Sequence, residues 1–237
     1  LKPGVPAVIC AKGIERGTDA LMSEAVAEAL PECVPAVLSG PTFAIEVARG
    51  LPTAVTLACV DEALGRRIVA AVGQPHFRPY WSADVTGAQI GGALKNVIAI
   101  ACGIVEGRGL GDNARAALMT RGMAELIRYG RARGARPETL MGLSGLGDLT
   151  LTCNASQSRN MSLGIELGRG RALADVLAER RSVAEGMFTA AALAAAPPRT
   201  GLDLPICAAV DAVCNHGADI DSTIAGLLAR PFRAETV

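Results

Sequence analysis

The sequence predicts an α/β domain followed by an all-α domain. From Val5 to about Tyr80, short apolar runs alternate with stretches of helical spacing, which is the pattern of a sheet with connecting helices. From Asp84 onward, the chain consists of long Ala- and Leu-rich segments with helical periodicity. Half of the 237 residues are hydrophobic, enough to bury the core of one large or two modest domains. We therefore predict one domain at residues 1–83 and a second at residues 84–237.

The elements of the first part follow from these runs in chain order. Strands are predicted at Val5–Cys10, Pro35–Leu38, Thr53–Cys59 and His76–Tyr80, and helices near Asp19–Leu30 and Asp61–Val72. The first run is continuously apolar, as in a buried strand. Because this strand follows directly after the first few residues, we expect that the chain begins inside a domain.

The helical part is interrupted where Gly, Pro and Asn collect. These breaks lie near residues 107–113, 134–137, 142–158 and 197–205. The segment 107–113 either closes over a site or joins two helices. A further helix is predicted over Arg159–Leu167, with Ser158 as its N-cap.

Composition excludes several classes of protein. Lys plus Arg and Asp plus Glu both number 23, so no overall charge attracts the chain to nucleic acid or to an anionic membrane. Aromatic residues make up only 3%, too few to stack bases. The apolar stretch around Val97–Ile104 is interrupted by Gly103 and Glu106 and is too short for a membrane span, and no signal peptide is visible. We therefore expect a cytoplasmic protein.

Cysteines and histidines indicate neither disulfides nor a metal. The seven cysteines form no Cys-x-x-Cys pair and lie mostly in apolar runs, so we interpret them as small buried residues in a reducing compartment. His76 and His216 lack neighbouring ligands at metal-binding spacing, so no metal site is predicted. No P-loop, no G-x-S-x-G and no full G-x-G-x-x-G stands between a strand and a helix, which excludes the common NTPase and serine hydrolase motifs.

One lysine stands in a strongly apolar predicted helix, within Gly91-Gly92-Ala93-Leu94-Lys95-Asn96-Val97. Burial disfavours an ammonium, which lowers the pKa of a lysine toward the range where it exchanges a proton near neutral pH. The alternative is a lysine at a helix edge whose ammonium reaches solvent. Gly91 and Gly92 are poor helix formers, and the close approach of another backbone or of a ligand explains them.

A glycine-rich segment with one acid follows, Gly142-Leu143-Ser144-Gly145-Leu146-Gly147-Asp148-Leu149. We interpret its glycines as a flexible turn that lets the backbone approach a neighbour closely. Asp148 either orients a cation such as Lys95, accepts a hydrogen bond from a substrate hydroxyl, or caps a following helical turn.

An anion site is predicted at Ser158-Arg159-Asn160. The free amides of a helix N-terminus, its dipole and the guanidinium of Arg159 together suit a phosphate. A cation in the first turn is unfavourable against the helix dipole, which favours a bound anion here.

Two further polar residues follow the first two predicted strands of the sheet. Lys12 lies in Ala11-Lys12-Gly13, and Thr42 lies in Ser39-Gly40-Pro41-Thr42-Phe43-Ala44. Ligands of open α/β sheets bind at the carboxyl ends of strands, so both residues are placed to meet a ligand. The alternative is ordinary turn chemistry, with Thr42 as the cap of a helix through Val47.

Five motifs, taken in order, resemble the signature of the bacterial NAD(P)-dependent glycerol-3-phosphate dehydrogenase family. They are Ala11-Lys12-Gly13-Ile14-Glu15, Leu38-Ser39-Gly40-Pro41-Thr42-Phe43-Ala44, Gly91 through Asn96, Gly145-Leu146-Gly147-Asp148-Leu149 and Ser158-Arg159-Asn160. The resemblance spans nearly the whole chain. It implies that residues 1–83 are the C-terminal part of a Rossmann-type domain, followed by an all-α domain similar to the C-terminal domain of 6-phosphogluconate dehydrogenase.

The resemblance also implies a reaction and its residues. sn-Glycerol 3-phosphate and dihydroxyacetone phosphate are interconverted by hydride transfer with NAD or NADP, which feeds glycerophospholipid synthesis. Lys95 matches the catalytic lysine that accepts the proton of the C2 hydroxyl. The substrate-binding residues that the resemblance implies are Lys12, Gly40, Thr42, Lys95, Asp148, Ser158, Arg159 and Asn160. The cofactor-binding residues that it implies are Lys12, Ala44, Arg159, Val183 and Glu185.

The same resemblance places the glycine-rich dinucleotide loop before Leu1, so these residues alone are expected to bind phosphate but to transfer no hydride. Two alternatives stay open. One is another β-hydroxyacid dehydrogenase of the 6-phosphogluconate dehydrogenase type, and the other is a non-catalytic helical binding or dimerisation module. The charge-free stretch Thr189–Ala196 favours a homodimer.

Overall fold

The computed structural model describes residues 3–180, 184–195, 201–232 and 234–235. The chain divides into two compact units. The first unit contains Leu1–Ala93 and Gly130–Leu151, and the second contains Leu94–Tyr129 and Thr152–Val237. The domain boundary between residues 83 and 84 stays a prediction.

The first unit is built on a small mixed sheet. Its strands are β1 (Pro6–Ile9), β2 (Val34–Ser39), β3 (Thr53–Ala58) and β4 (Phe77–Ser82), and they lie in the order β1-β2-β3-β4. β1 and β2 are parallel, as are β3 and β4, whereas β2 and β3 are antiparallel, with Leu38 opposite Leu57. The predicted α/β class is therefore confirmed, and all four predicted strands are present with boundaries that differ by a few residues.

The prediction that the first strand is buried is wrong. Its burial is mixed, and Val8 is 40% exposed. Within the described residues β1 is paired with β2.

Helices cover both faces of the sheet. The helices of this part are α1 (Met22–Ala29), α2 (Ala44–Ala48) and α3 (Glu62–Val72). On one face Ile9, Val37 and Ala58 pack in a cluster, and on the other Leu57 packs with Ile68 of α3. α3 begins at its N-cap Asp61, whose side chain accepts a hydrogen bond from the backbone N–H of Leu64 at 2.9 Å.

The long helix α4 (Val85–Gly107) begins at a buried aspartate. Asp84 accepts a hydrogen bond from the Gly87 backbone N–H at 2.8 Å, and another from the Arg136 backbone N–H at 2.8 Å. By length and composition alone α4 is able to cross a membrane, contrary to the prediction from the shorter stretch Val97–Ile104, but 94% of its apolar window is buried inside the protein. Such burial is typical of a core helix.

The rest of the described chain is helical, as predicted. Its elements are α5 (Asp112–Ala132), α6 (Pro137–Leu140), a π-helical turn (Leu143–Gly147), α7 (Asp148–Asn154), α8 (Arg159–Gly168), α9 (Leu173–Ala178), α10 (Glu185–Ala195), α11 (Pro205–His216) and α12 (Ile220–Leu228). α4 ends at Gly107 and α5 begins at Asp112, so the segment between them joins two helices. α8 has its predicted N-cap, since Ser158 Oγ accepts a hydrogen bond from the Met161 backbone N–H at 3.3 Å.

The prediction of a break over residues 142–158 is largely wrong. The glycine-rich segment forms the π-helical turn, and α7 continues from it to Asn154. A Cβ on Gly145 would lie 2.8 Å from Leu140 Cα, so the predicted close approach of the backbone is confirmed for this glycine, within a π-helical turn and not a flexible one.

Glycines also allow a close contact between two helices of the second unit. A Cβ on Gly164 of α8 would lie 2.9 Å from Gly103 Cα of α4, and one on Gly168 would lie 2.9 Å from Gly107 Cα. The two helices therefore pack backbone to backbone, which fixes α8 and its N-terminus on the core helix.

Candidate active site

In the first unit, an ion pair links two of the predicted site residues. Lys12 Nζ lies 2.6 Å from Asp148 Oδ2 and donates a second hydrogen bond to the Gly40 carbonyl oxygen at 3.0 Å. The Asp148 side chain is fully buried, whereas the Lys12 side chain is 18% exposed. A buried carboxylate therefore holds an ammonium that still reaches the surface, which is an arrangement suited to binding an anionic or polar ligand.

Thr42 and Ala44 lie beside this pair in the chain segment after β2. Thr42 Oγ1 donates a hydrogen bond to the Gly40 carbonyl oxygen at 2.7 Å. The alternative that Thr42 caps a helix is wrong, because α2 has Phe43 as its N-cap and begins at Ala44. The Gly40 carbonyl thus accepts hydrogen bonds from both Thr42 and Lys12, which draws three predicted substrate residues together.

The glycines before the helical lysine allow two close contacts. A Cβ on Gly91 would lie 2.9 Å from Gly145 Cα, and one on Gly92 would lie 2.8 Å from Ser39 Oγ and 3.2 Å from Lys12 Cγ. The prediction that a closely approaching backbone explains these glycines is confirmed for Gly91, and at Gly92 the neighbours are side chains.

In the second unit, Lys95 is buried. Only 6% of the residue is exposed, so the alternative of a lysine that reaches solvent from a helix edge is wrong. Its Nζ donates a hydrogen bond to Thr152 Oγ1 of α7 at 2.9 Å. The buried ammonium of Lys95 therefore has a hydrogen-bond partner, as burial requires.

The predicted anion site lies at the first turn of α8. Ser158 is the N-cap, Arg159 is about half exposed, and Asn160 is buried with 6% of its surface exposed. The guanidinium of Arg159 lies 3.8 Å from Glu185 Oε1 at the start of α10. A half-exposed guanidinium thus stands at a helix N-terminus whose neighbouring residues Ser158 and Asn160 are buried.

Asn160 connects this turn to the N-terminus of α10. Its Oδ1 accepts a hydrogen bond from the Gly186 backbone N–H at 3.0 Å. A Cβ on Gly186 would lie 2.6 Å from the Asn96 carbonyl oxygen, so only glycine fits between α4 and α8 here. The predicted cofactor residue Val183 lies outside the described residues.

Two residues of the second unit make contacts that were not predicted from the sequence. Thr152 binds Lys95, and Asn96 is a buried amide that contacts Gly186 through its backbone. The sequence does contain a signal for the two predicted lysines. Lysine occurs only three times in the chain, against twenty arginines, and two of the three are Lys12 and Lys95. Lysine exchanges protons more readily than arginine when buried, so its rarity marks both positions.

The exposed donor set fits a nicotinamide dinucleotide. A guanidinium such as that of Arg159 suits a pyrophosphate or phosphate, and a carboxylate such as that of Glu185 suits ribose hydroxyls. In the described part of the chain, no group of three or more His, Cys, Asp or Glu side chains is arranged to hold a metal ion.

The chain matches the sequence models of one enzyme family at both ends. Residues 1–65 match the model of the NAD-dependent glycerol-3-phosphate dehydrogenase N-terminus, and residues 84–225 match that of its C-terminus.

Curated relatives carry the corresponding name. The chain is 62% identical over 236 residues to a glycerol-3-phosphate dehydrogenase [NAD(P)+] of Rhodospirillum rubrum, covering 99% of this chain and 68% of the relative. It is 58% identical over 233 residues to that of Parvibaculum lavamentivorans, covering 98% of this chain and 70% of the relative.

Solved structures agree with the sequence relatives. The crystal structure of glycerol-3-phosphate dehydrogenase from Coxiella burnetii is similar at a TM-score of 0.89 and 37% identity, covering 94% of this chain and 68% of that one. The enzyme of Saccharomyces cerevisiae is similar at a TM-score of 0.82 and 30% identity, covering 93% of this chain and 67% of that one. The chain therefore belongs to the NAD-dependent glycerol-3-phosphate dehydrogenase family.

Proposed function

We propose that this protein interconverts sn-glycerol 3-phosphate and dihydroxyacetone phosphate by hydride transfer with NAD or NADP. The observation that carries the proposal is Lys95, a buried lysine in an apolar helix whose Nζ is held by the Thr152 hydroxyl at 2.9 Å. Burial disfavours the charged form of a lysine and prepares it to accept and return a proton. A purely structural position has no such need for a lysine.

Lys95 takes the proton and the substrate supplies the hydride. In the oxidative direction the O–H bond at C2 breaks and its proton passes to Lys95 Nζ, while the C2–H bond breaks and its electron pair leaves as hydride. Lys12, Ala44, Arg159, Val183 and Glu185 would hold NAD(P)+, whose nicotinamide ring would supply the hydride acceptor. In the reductive direction Lys95 returns the proton to the carbonyl oxygen of dihydroxyacetone phosphate.

We propose the following contacts for the phosphate substrate, each described within its own unit. Lys12, oriented by Asp148 and the Gly40 carbonyl, supplies a partly exposed ammonium. Ser158, Arg159 and Asn160 supply the N-terminus of α8 and a guanidinium. The further substrate contacts in the proposal are Gly40, Thr42 and Asp148, and the cofactor contacts are Lys12, Ala44, Arg159, Val183 and Glu185.

Cellular role and assembly follow as part of the same proposal. Because glycerol 3-phosphate is the backbone of glycerophospholipids, the reaction feeds lipid synthesis. We propose a cytoplasmic homodimer, with residues 1–83 as the C-terminal part of the dinucleotide-binding domain and residues 84–237 as the helical domain.

The test measures NADH and NADPH oxidation with dihydroxyacetone phosphate, using the complete gene product that contains these residues. Lys95→Ala is expected to lower kcat by about 10²–10⁴-fold, the usual contribution of a general acid or base. Lys95→Arg should be comparably impaired, since a guanidinium keeps the charge but does not release its proton. Arg66→Ala, which removes an exposed cation paired with Glu62, is the matched control and should retain activity.

Two results would overturn the proposal. A folded wild-type enzyme without turnover on either cofactor would remove the assigned reaction and favour a non-catalytic module. Full activity in Lys95→Arg would leave the reaction in place but take the proton-transfer role away from Lys95.

A further inference from the structure

Arg180 follows the C-cap of α9 and lies in a cleft beside α8. The cleft has a volume of about 530 Å³, and Ser162, Glu166 and Arg171 also line it. Burial lowers the pKa of the Arg180 guanidinium, an effect that the neighbouring carboxylate of Glu166 opposes. The guanidinium is thus partly withdrawn from water and directed at particular acceptors.

These acceptors lie in the first turn of α8. Arg180 Nη1 donates a hydrogen bond to the Arg159 carbonyl oxygen at 2.8 Å, and Nη2 donates to Ser162 Oγ at 3.0 Å. Ser162 Oγ in turn donates to the same Arg159 carbonyl at 3.2 Å. The two ends of one planar guanidinium therefore fix the Arg159 carbonyl directly and through a hydroxyl.

The same turn of α8 also contacts the chain that follows residues 181–183. The Arg159 guanidinium lies 3.8 Å from Glu185 Oε1, and Asn160 Oδ1 accepts a hydrogen bond from the Gly186 backbone N–H at 3.0 Å. Arg159 and Asn160 therefore bind the chain on both sides of this short segment. Arg180 secures one side, and Glu185 and Gly186 secure the other.

We propose that Arg180 is a positioning residue for the cofactor contacts at Arg159 and Glu185. The inference rests on the proposed function, because it concerns the affinity for NAD(P)H. By holding the Arg159 backbone, Arg180 keeps the guanidinium of that residue in place before the cofactor arrives. Pre-organised groups bind more tightly because less freedom is lost on binding.

Arg171 is the matched comparison, because it lines the same cleft. It pairs with Glu166 at 3.1 Å and Glu179 at 2.5 Å, and both partners are side chains outside the proposed site. Its removal alters the charge of the cleft as much as removal of Arg180 does. A difference between the two variants therefore isolates the contact with Arg159.

The experiment titrates NADH and NADPH into the complete enzyme and follows nicotinamide fluorescence, with steady-state kinetics in parallel. Arg180→Gln is expected to raise the Kd and the KM for the cofactor about tenfold, the usual effect of losing a hydrogen bond from a charged group. The kcat at saturating cofactor should stay within about twofold of wild type, since uniform binding is lost. Arg180→Lys should recover part of the affinity, and Arg171→Gln should bind cofactor as wild type does.

The outcomes separate this proposal from the general one. Wild-type turnover with dihydroxyacetone phosphate tests the reaction, whatever the variants do. Arg180 is not a positioning residue if Arg180→Gln binds cofactor normally, or if Arg171→Gln weakens binding equally. If Arg180→Gln does not fold, the comparison uses Arg180→Lys, which keeps the charge, and normal cofactor affinity in that variant overturns the proposal.

Discussion

Two buried carboxylates, one in each compact unit, have different partners. Asp148 in the first unit is fully buried and binds the ammonium of Lys12, which reaches the surface. Glu125 in the second unit is 1% exposed and accepts hydrogen bonds from the backbone N–H groups of Ile206 at 2.7 Å and Cys207 at 3.1 Å. One acid pairs with a partly exposed side-chain cation, and the other caps the N-terminus of α11 from a distant helix.

A buried acid therefore does not by itself mark a functional site. Burial raises the pKa of Glu125, and the hydrogen bonds from Ile206 and Cys207 only partly offset that effect. Perturbed acids are often taken as signs of catalysis, yet the partners of Glu125 are structural backbone groups. For Asp148 the partner is a side chain that is itself a proposed ligand contact. The nature of its partner is therefore a better criterion for a functional acid than burial alone.

The sharpest test of this comparison is Asp148→Asn. The substitution keeps the shape of the side chain but removes the charge that orients Lys12 Nζ, and a displacement of about 1 Å in a positioned group costs roughly 10²-fold in rate. We expect kcat/KM for dihydroxyacetone phosphate to fall about 100-fold. The free energy of unfolding should fall by too little to account for this loss of rate. Lys12 keeps its hydrogen bond to the Gly40 carbonyl oxygen and remains partly exposed to water.

Steady-state kinetics and urea unfolding on the same preparation check this prediction. If stability and activity fell together, so that the folded fraction accounted for the lost rate, Asp148 would be a structural acid like Glu125.

The second test is Glu125→Ala. It leaves two buried N–H groups without their acceptor and opens a cavity, so we expect the free energy of unfolding to fall by about 2–4 kcal/mol. The kcat of the folded enzyme should be nearly unchanged. Glu62→Ala is the control, because this exposed carboxylate pairs with Arg66 on the surface of α3 and its removal should leave stability nearly unchanged. A large loss of kcat without loss of stability in Glu125→Ala would contradict the comparison.

The smallest expected effect is a pH dependence that Glu125 confers. Its folded pKa is raised above the ordinary value of 4.5, so the folded protein holds this proton more tightly than the unfolded chain does. The contribution of this proton to stability is complete below pH 4.5 and is lost as the pH rises through the folded pKa. Each unit of the upward shift corresponds to about 1.4 kcal/mol.

The measurement compares the unfolding free energies of wild type and Glu125→Gln at successive pH values. We expect the stability of wild type relative to the variant to decrease as the pH rises above 4.5. A difference that does not change with pH would show that the carboxyl titrates alike in the folded and unfolded chains.

Local patterns predicted part of this structure well. The helix Arg159–Leu167 was predicted one residue short of its observed end at Gly168, with Ser158 as its N-cap. The helix Asp61–Val72 is present as Glu62–Val72 with Asp61 as the cap. In both cases periodicity and capping act within a few residues, so the information is contained in the segment itself.

Predictions that depended on distant neighbours were less successful. The run Val5–Cys10 has the composition of a buried strand, but Val8 is 40% exposed within the described residues. The glycines of residues 142–147 suggested a flexible turn, but contact with Leu140 makes Gly145 part of a tight helical turn. In each case the residue type is compatible with two environments, and only packing decides between them.

The sequence alone was enough to predict that an α/β part precedes an all-α part, and it contains the family signature. It also identified Lys12, Lys95 and Arg159, the first residue of a capped helix, as the residues that carry the proposed chemistry. These depend on residue type and short spacing, which act locally. The tertiary structure decided which partner each charge has. Lys12 and Asp148 meet across 136 residues, and Glu125 caps a helix 81 residues away. Such pairings depend on how the chain returns on itself, and no local pattern contains that information.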